Sequence, residues 1–451
     1  MSTDRIKAAL EGATDTREVL LGAGVLGEVG AVFERAFGDR AAVVIADETT
    51  FEVAGKRAGQ LLADGGRALA EPYVFPATPT LHADYDNVIP LARFLRATDA
   101  IPVAVGSGTL NDLVKRASHE VERPYLTVAT AASVDGYTSF GASITKDGFK
   151  QTLTCPAPRA VVADLDVLAA APAIMTASGY GDLLGKVPAG ADWILADATG
   201  TDPIPPHVWA LVQGSLREAI ARPAQVRAGD LDALAGLVEG LMLSGLAMQV
   251  AGSSRPASGA EHYFSHLWEL EGLAHGVDGG PPPEHGLKVG VGSVAIAAFY
   301  ERFLHRDLRD VDVDARRAAW PAWPEVERRV RAAHTTPGLD EAAVTQSRDK
   351  HIDAAQLADR LTLLRERWPE LRDQLRAQLL PAAELRDRLH AAGAPATPAE
   401  IGLSMADLRA SYTRAPMIRS RYTALDLAAE AGLRDELVAE LFAEGGYWAD
   451  A

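Results

Sequence analysis

Two histidines four residues apart, in Ser258-Gly259-Ala260-Glu261-His262-Tyr263-Phe264-Ser265-His266, are the side chains of this sequence best suited to chemistry. On a helix that spacing puts both imidazoles on one face. A third imidazole, His285, follows the proline run Pro281 to Pro283, and a carboxylate, Asp182, lies in Ser178-Gly179-Tyr180-Gly181-Asp182-Leu183-Leu184-Gly185-Lys186. Two imidazoles and a carboxylate with one open position form a common catalytic site for a divalent metal. A surface or capping pair of histidines has the same spacing, and spacing alone does not choose the third and fourth ligands. His82, His119, His207, His334 and His390 sit in polar helical or loop contexts and read as solvated or structural.

Two further segments could serve a nucleotide. Val105-Gly106-Ser107-Gly108-Thr109-Leu110-Asn111-Asp112 is a glycine-rich turn between an apolar run and a helical pattern. Glycines let the backbone approach a pyrophosphate, and a helix N-terminus offers N–H groups and partial positive charge. A plain tight turn has the same composition. Thr130-Ala131-Ala132-Ser133-Val134-Asp135-Gly136-Tyr137-Thr138-Ser139 surrounds one carboxylate with small and hydroxyl residues, suiting a loop folded over a flat cofactor. Asp47, at the end of an earlier apolar run, could bind ribose hydroxyls or simply cap a helix.

These groups need elements to hold them. Arg40 to Ala46 reads as a buried strand, Phe51 to Leu62 as a helix, Glu71 to Phe75 as a strand and Asn87 to Thr98 as a helix. Ile101 to Val105 and Tyr125 to Val128 are two more strands. Strand alternating with helix predicts a parallel sheet covered on both faces. From Pro172 onward the periodicity is helical, with long stretches at Ala354 to Leu380 and Asp426 to Phe442. The expected organisation is an α/β nucleotide-binding domain over residues 1–172 and an all-α domain over 173–451, with the site in the cleft between them.

At 451 residues, with 48% apolar content, the chain has material for two sizeable cores. A net charge of −17 disfavours nucleic acid and anionic membrane as partners. It also means that a phosphate-bearing ligand must be met by local positive charge. Lysines are few, and five of the eight, Lys115, Lys146, Lys150, Lys186 and Lys288, lie between 115 and 288. The most apolar stretch, Leu237 to Val250, is broken by Gly240, Ser244 and Gly245 and reads as a buried helix, not a membrane span. The single cysteine, Cys155, excludes an internal disulfide, and the N-terminus lacks a signal-peptide pattern; a cytoplasmic location is expected.

Taken together, VGSGTLNDLVK (105–115), TAASVDGYTS (130–139), GYGDLLGK (179–186), DW (192–193), SSRPASGAEHYFSH (253–266) and HGLKVGVG (285–292) resemble the glycerol-1-phosphate dehydrogenases. These are relatives of the iron-containing alcohol dehydrogenases, glycerol dehydrogenase and dehydroquinate synthase. The segment RSRYTALDLAAEAG (419–432) resembles the bacterial members. The resemblance implies a Rossmann-like domain followed by an all-helical one, in a dehydroquinate synthase-like architecture. It implies NAD(P) held by Gly106, Ser107, Gly108, Thr109, Leu110, Thr130, Ala131, Ala132 and Ser133, with Ser139 near the nicotinamide; Asp47 stays a candidate for the ribose from its place at a strand end. It assigns one divalent metal, zinc or nickel, to Asp182, His262 and His285, and substrate contact to Asp135, Asp182 and His266, with Asp135 and His266 catalytic. One departure stands out: the wider superfamily has Glu where this chain has Leu287.

The implied reaction is reversible reduction of dihydroxyacetone phosphate to sn-glycerol-1-phosphate, in a homodimer or larger homo-oligomer. Lys150, Lys186 and Arg255 are candidates for the phosphate, each alternatively a solvated surface charge. Competing readings are a polyol or glycerol dehydrogenase, a dehydroquinate synthase-like cyclase on another phosphorylated substrate, and a catalytically dead NAD-binding protein.

Overall fold

The run Ala42–Asp47 shows why the first third of the chain forms a sheet buried on both sides. Val43 and Ile45 face one apolar cluster, with Val88, Leu91 and Leu95 of helix Tyr85–Arg96 and Leu113 and Val114 of helix Gly108–Glu120. Val44 and Ala46 face another, with Val29, Val32 and Phe33 of helix Val29–Phe37 and Ala58 and Leu62 of helix Lys56–Asp64. Successive strand side chains point to opposite faces, so a strand apolar at every position needs helices on both.

The computed structural model describes residues 2–147, 149–277 and 280–449, without the side chains of Ser2, Thr3 and Phe149. The chain divides into two compact units. One comprises the residues up to Leu183 together with His207–Ser254; the other comprises Leu184–Pro206 and the described residues from Arg255 onward. Where the sequence pattern places one boundary at 172/173, the chain passes between units at 183/184, 206/207 and 254/255.

In the first unit the strands are β1 (Glu18–Gly22), β2 (Ala42–Asp47), β3 (Tyr73–Phe75), β4 (Ile101–Gly106), β5 (Leu126–Ala129), β6 (Ala142–Lys146), β7 (Phe149–Leu153) and β8 (Ala160–Asp164). Six of them form a parallel sheet in the order β1-β8-β5-β4-β2-β3. The four expected strands are β2, β3, β4 and β5. The structure adds β1 and β8 to the sheet, and the antiparallel hairpin β6–β7 beside it in sequence. Helix Leu231–Ala251 also belongs to this unit. By length and composition it could cross a membrane, but 83% of its apolar window is buried. Ile6 and Ala9 of the N-terminal helix pack on its Leu243 and Leu246.

The second unit is helical, and no strand follows Asp164 among the described residues. Its central helix, His285–Phe303, is buried along nearly its whole length. Gly292 lets helix Ala260–Leu270 lie close, since a Cβ there would stand 2.5 Å from the Glu261 carbonyl oxygen. Helix Ala354–Gln378 is capped by Asp353 and buries Leu357, Leu361, Leu364, Trp368, Leu371 and Leu375 at helical spacing. The stretch from Asp426 to Phe442, helical by pattern, is in fact two helices, Ala424–Ala431 and Arg434–Phe442. Gly432 between them adopts φ +78°, a left-handed conformation that ends the first helix.

Candidate active site

Strand order reverses beside β2: the chain runs outward from β2 to β3, then returns past β2 to β4 and on to β5. In parallel α/β sheets, ligands bind at the carboxyl ends of the strands flanking such a reversal. Asp47 ends β2 there, and Gly106-Ser107-Gly108 leads from β4 into helix Gly108–Glu120. A Cβ on Gly106 would lie 2.4 Å from the Leu110 side chain, and one on Gly108 would lie 2.7 Å from Val134. Both glycines are therefore required by packing. Ser107 makes no capping bond, and Thr109 and Leu110 continue the first helical turn. The Thr130 N–H donates to the Gly106 carbonyl at 3.1 Å, tying the two nucleotide-type segments together. Thr130, Ala131, Ala132 and Ser133 are all buried.

Asp47 is a helix cap: its Oδ1 accepts from the Thr50 N–H at 2.8 Å, and Thr50 Oγ1 accepts from the Asp47 N–H. A π-helical turn, Phe51–Gly55, follows. Of the two roles open for Asp47, capping is the one the side chain performs in this structure.

The loop carrying Asp135 and Ser139 is held from three sides. Lys115, buried on helix Gly108–Glu120, donates from Nζ to the carbonyls of Gly136, Ser139 and Gly141 at 2.9, 2.9 and 3.0 Å. Asn111, one turn earlier, donates to Gly136 at 3.2 Å. From helix Leu231–Ala251, Ser244 donates to the Asp135 carboxylate at 2.9 Å, and Gln249 donates to the Thr138 carbonyl. Gly245 brings the helix in: a Cβ there would lie 2.2 Å from Thr138 Oγ1. Ser139 donates to the Gly136 carbonyl at 3.2 Å. Asp182, 1% exposed, accepts from the Asp135 N–H at 3.0 Å, so the two predicted carboxylates are neighbours. Lys115 and Asn111 were absent from the expected site; their spacing of four after the glycine turn was the available signal.

In the second unit three imidazoles meet. Ring centroids are 5.4 Å apart for His262 and His285, 5.5 Å for His266 and His285, and 5.9 Å for His262 and His266. His262 Nδ1 lies 2.7 Å from Glu261 Oε1, and His285 Nδ1 lies 3.0 Å from Glu269 Oε1. An ionised carboxylate on Nδ1 puts the ring proton there and the ligating lone pair on Nε2. Both proposed ligand histidines thus carry the orienting partner that metal-binding imidazoles use.

Leu287, 4% exposed, is part of the core, and Glu269 from the neighbouring helix provides the carboxylate beside His285. His266 Nδ1 is 3.6 Å from Glu269, and Lys288 Nζ is 3.0 Å from the same carboxylate. Ligand-type atoms of His266, Glu269 and His285 lie within 4.8 Å of one another, but Lys288 balances Glu269, which suits an orienting role. Burial holds His266 well below the ordinary histidine range, against the pull of Glu269.

Arg255 and Lys186, candidates for phosphate, are neither solvated nor open. Arg255, 2% exposed, donates to the carbonyls of Asp192 and Tyr422 at 2.7 and 3.0 Å and pairs with Asp202 at 3.2 Å. Lys186 is wholly buried and acts on Glu261. Lys150, on β7, acts on Asp112. Asp192 ties the unit together, accepting from Tyr300, Ala260 and Ala424 at 2.6, 2.8 and 2.8 Å. Burial, then the charge of Glu261, pushes its carboxyl up to about 6. Burial pushes Glu261 up to about 7, opposed by Lys186 and Arg255. Among the structural histidines, His334 is fully buried, 3.5 Å from Glu271, while His82, His119, His207 and His390 are exposed.

The sequence pattern of the iron-containing alcohol dehydrogenases matches residues 20–172. A glycerol-1-phosphate dehydrogenase [NAD(P)+] from Bacillus subtilis (strain 168) is 34% identical over 334 residues, covering 72% of this chain and 84% of the relative. The chain belongs to the glycerol-1-phosphate dehydrogenase family. Another relative of that name, from Halalkalibacterium halodurans, is 38% identical over 259 residues, 57% of this chain; the match spans under two thirds of that relative, 64%. Among solved structures, a probable glycerol dehydrogenase from Sinorhizobium meliloti 1021 aligns over 95% of this chain and 98% of its own, at a TM-score of 0.61 and 16% identity. That likeness establishes the family's fold: a parallel-sheet α/β part and a helical part.

Proposed function

We propose that this chain is an NAD(P)-linked oxidoreductase that interconverts dihydroxyacetone phosphate and sn-glycerol-1-phosphate with the help of one divalent metal. The observation that carries the reading is the pair of histidines with carboxylates on Nδ1, His262 with Glu261 and His285 with Glu269. Imidazoles oriented in this way suit zinc or nickel, and Asp182 would complete the set with a carboxylate oxygen. When bound, such a metal supplies Lewis acidity to a carbonyl oxygen. The nicotinamide brings the hydride, and the protein brings position and field.

The chain's own residues do the rest. The Gly106–Leu110 turn and Thr130–Ser133 would receive the dinucleotide, with Ser139 near the nicotinamide ring. Asp135, fixed by the Ser244 hydroxyl, would hold a substrate hydroxyl in place. His266, with its Nδ1 turned to Glu269 and the Nε2 lone pair free, would take a proton from solvent at Nε2 and pass it to the developing alcohol oxygen. The same chemistry in reverse would oxidise the alcohol.

The test is NADH or NADPH oxidation with dihydroxyacetone phosphate, on protein stripped by chelator and reloaded with zinc or nickel. Metal-dependent turnover of the phosphorylated ketone is expected; its absence in every metal would refute the reading. Metal content gives an independent check: His262→Ala should lose the metal, while His266→Ala should keep it and lose turnover. Loss of metal from the His266 variant would reverse the two assignments.

A further inference from the structure

The residues following the turn Ala415–Ile418 lie beside the helix that carries His262 and His266, and nearly every one is spoken for. The Ser420 N–H donates to Gln346 at 3.0 Å. Arg421 donates to Ser258 Oγ at 3.0 Å, and its carbonyl accepts from Tyr263 at 3.1 Å. The Tyr422 carbonyl accepts from Arg255, and the Ala424 N–H donates to Asp192. Arg419 differs. Its guanidinium has a single hydrogen bond among the described residues, a long one of 3.4 Å to the carbonyl of the preceding Ile418. Its charge nevertheless acts on His266 and is felt by Glu269 and Tyr263.

Two cations act on the carboxylate beside His266. Glu269 is one carboxylate, already 3.0 Å from the Lys288 ammonium, and Arg419 is a second cation beside it. His266 and His285 retain partial exposure, with 21% and 23% of their side chains open. A partly desolvated guanidinium with no ion pair among the described residues, close to a partly exposed imidazole, has N–H donors suited to an anion. A planar fork of N–H donors matches the oxygens of a phosphate monoester better than an ammonium does. In a chain of net charge −17, such a site is also where local positive potential is most needed.

We propose that Arg419 binds the phosphate group of the substrate. Lys150, Lys186 and Arg255 are committed elsewhere or act on other carboxylates. The inference rests on the functional reading above and names the group that would make the enzyme prefer a phosphorylated ketone.

The experiment compares wild type, Arg419→Gln and Arg419→Lys, using dihydroxyacetone phosphate as substrate and inorganic phosphate as a competing probe. In Arg419→Gln, the KM for dihydroxyacetone phosphate and the inhibition constant of phosphate should rise together by about 10- to 100-fold. Arg419→Lys should recover part of both. An unchanged phosphate constant, or a loss that falls on kcat and on NADH affinity alike, overturns the proposal in favour of a structural role. An effect confined to NADPH, absent with NADH, overturns it as well, because the phosphate read would be the cofactor's. If wild type turns over no phosphorylated ketone, the functional reading fails separately, and calorimetry with inorganic phosphate decides. Binding that depends on Arg419 keeps the anion site, and absence of binding removes it.

Discussion

Lys115 in the first unit and Arg255 in the second are both buried cations, and each holds a segment of backbone, but their surroundings differ. Lys115 spends its three protons on three carbonyls of one loop, with Asp112 nearby at 3.5 Å. Around it the first unit positions its carboxylates with neutral dipoles: the Ser244 hydroxyl on Asp135, the Asp135 N–H on Asp182, glycines where backbones meet. Arg255 sits among other buried charges, Asp192, Glu261 and Lys186, with Glu430 and Arg360 joined through Tyr422. The contacts around the Asp135 loop are mostly dipoles and close packing, and those around Arg255 are mostly ions taken out of water. Buried ions tolerate the loss of a partner badly and respond to pH; dipoles do neither strongly.

The largest expected effect breaks the ionic side. Arg255→Met removes a charge that opposes the raised carboxyl of Glu261 and leaves the Asp192 and Tyr422 carbonyls without their donor. A cost of about 3–5 kcal/mol follows for removing one partner of a buried ionic group. Six of the seven tryptophans, all but Trp209, lie in the second unit, so fluorescence-monitored denaturation reads it directly. A change under about 1 kcal/mol in that transition would mean that the network is not cooperative.

Glu430 tests the pH response. Burial pushes its carboxyl up to about 7, against Arg360 at 2.5 Å and Tyr422 at 2.6 Å, with Asp426 adding to the rise. The ordinary value is 4.5, so the folded state binds this proton more tightly than the unfolded chain does. The linked stabilisation is complete below about 4.5 and is lost as pH rises through about 7, on the order of 3 kcal/mol in all. Glu430→Gln should flatten the fall in the second unit's denaturation midpoint between pH 5 and 8. An unaltered slope would assign the pH response to Asp192 and Glu261 instead.

On the dipolar side, Lys115→Met strands three carbonyls of one loop, and movement of that loop relieves part of the cost. About 2 kcal/mol is expected, with a rise in the KM for the nicotinamide cofactor because the loop bearing Ser139 is freed. A loss of metal without a change in cofactor KM would contradict the role of Lys115 as the clamp of that loop.

The two units also differed in how far their sequence disclosed them. The first was legible where local pattern decides: residues 42–46 and 101–105 are apolar throughout, and Gly106-Ser107-Gly108 comes directly after the second of these runs. Yet Ala160–Asp164, in AVVAD, repeats the pattern of AVVIAD at 42–47 and lies inside the sheet between β1 and β5, beyond the four expected strands. β1 is an edge strand, half-buried at every position, which leaves no alternation to read. In the second unit the histidines stood out by type and spacing, but what orients them did not. Glu269 reaches His285 across 16 residues and a proline turn. Asp192 bonds residues 68, 108 and 232 positions away. Buried ionic networks are made by tertiary packing, and no local period marks their members.

The smallest effect sharpens the comparison within the first unit, where Asp47 caps a helix in a position that ribose recognition would also use. Asp47→Ala removes the capping box and should cost about 1 kcal/mol. Asp47→Asn keeps a side-chain oxygen for the Thr50 N–H, so stability should remain within a few tenths of wild type. The two variants separate the roles through the cofactor. If Asp47 only caps, the asparagine variant keeps the KM for NADH; if it also holds the ribose hydroxyls, that KM rises while the stability does not move. A stability loss equal in both variants would mean that the carboxylate's charge at the helix N-terminus, rather than the hydrogen bond, does the capping, and the first unit would then rely on an ion as the second does.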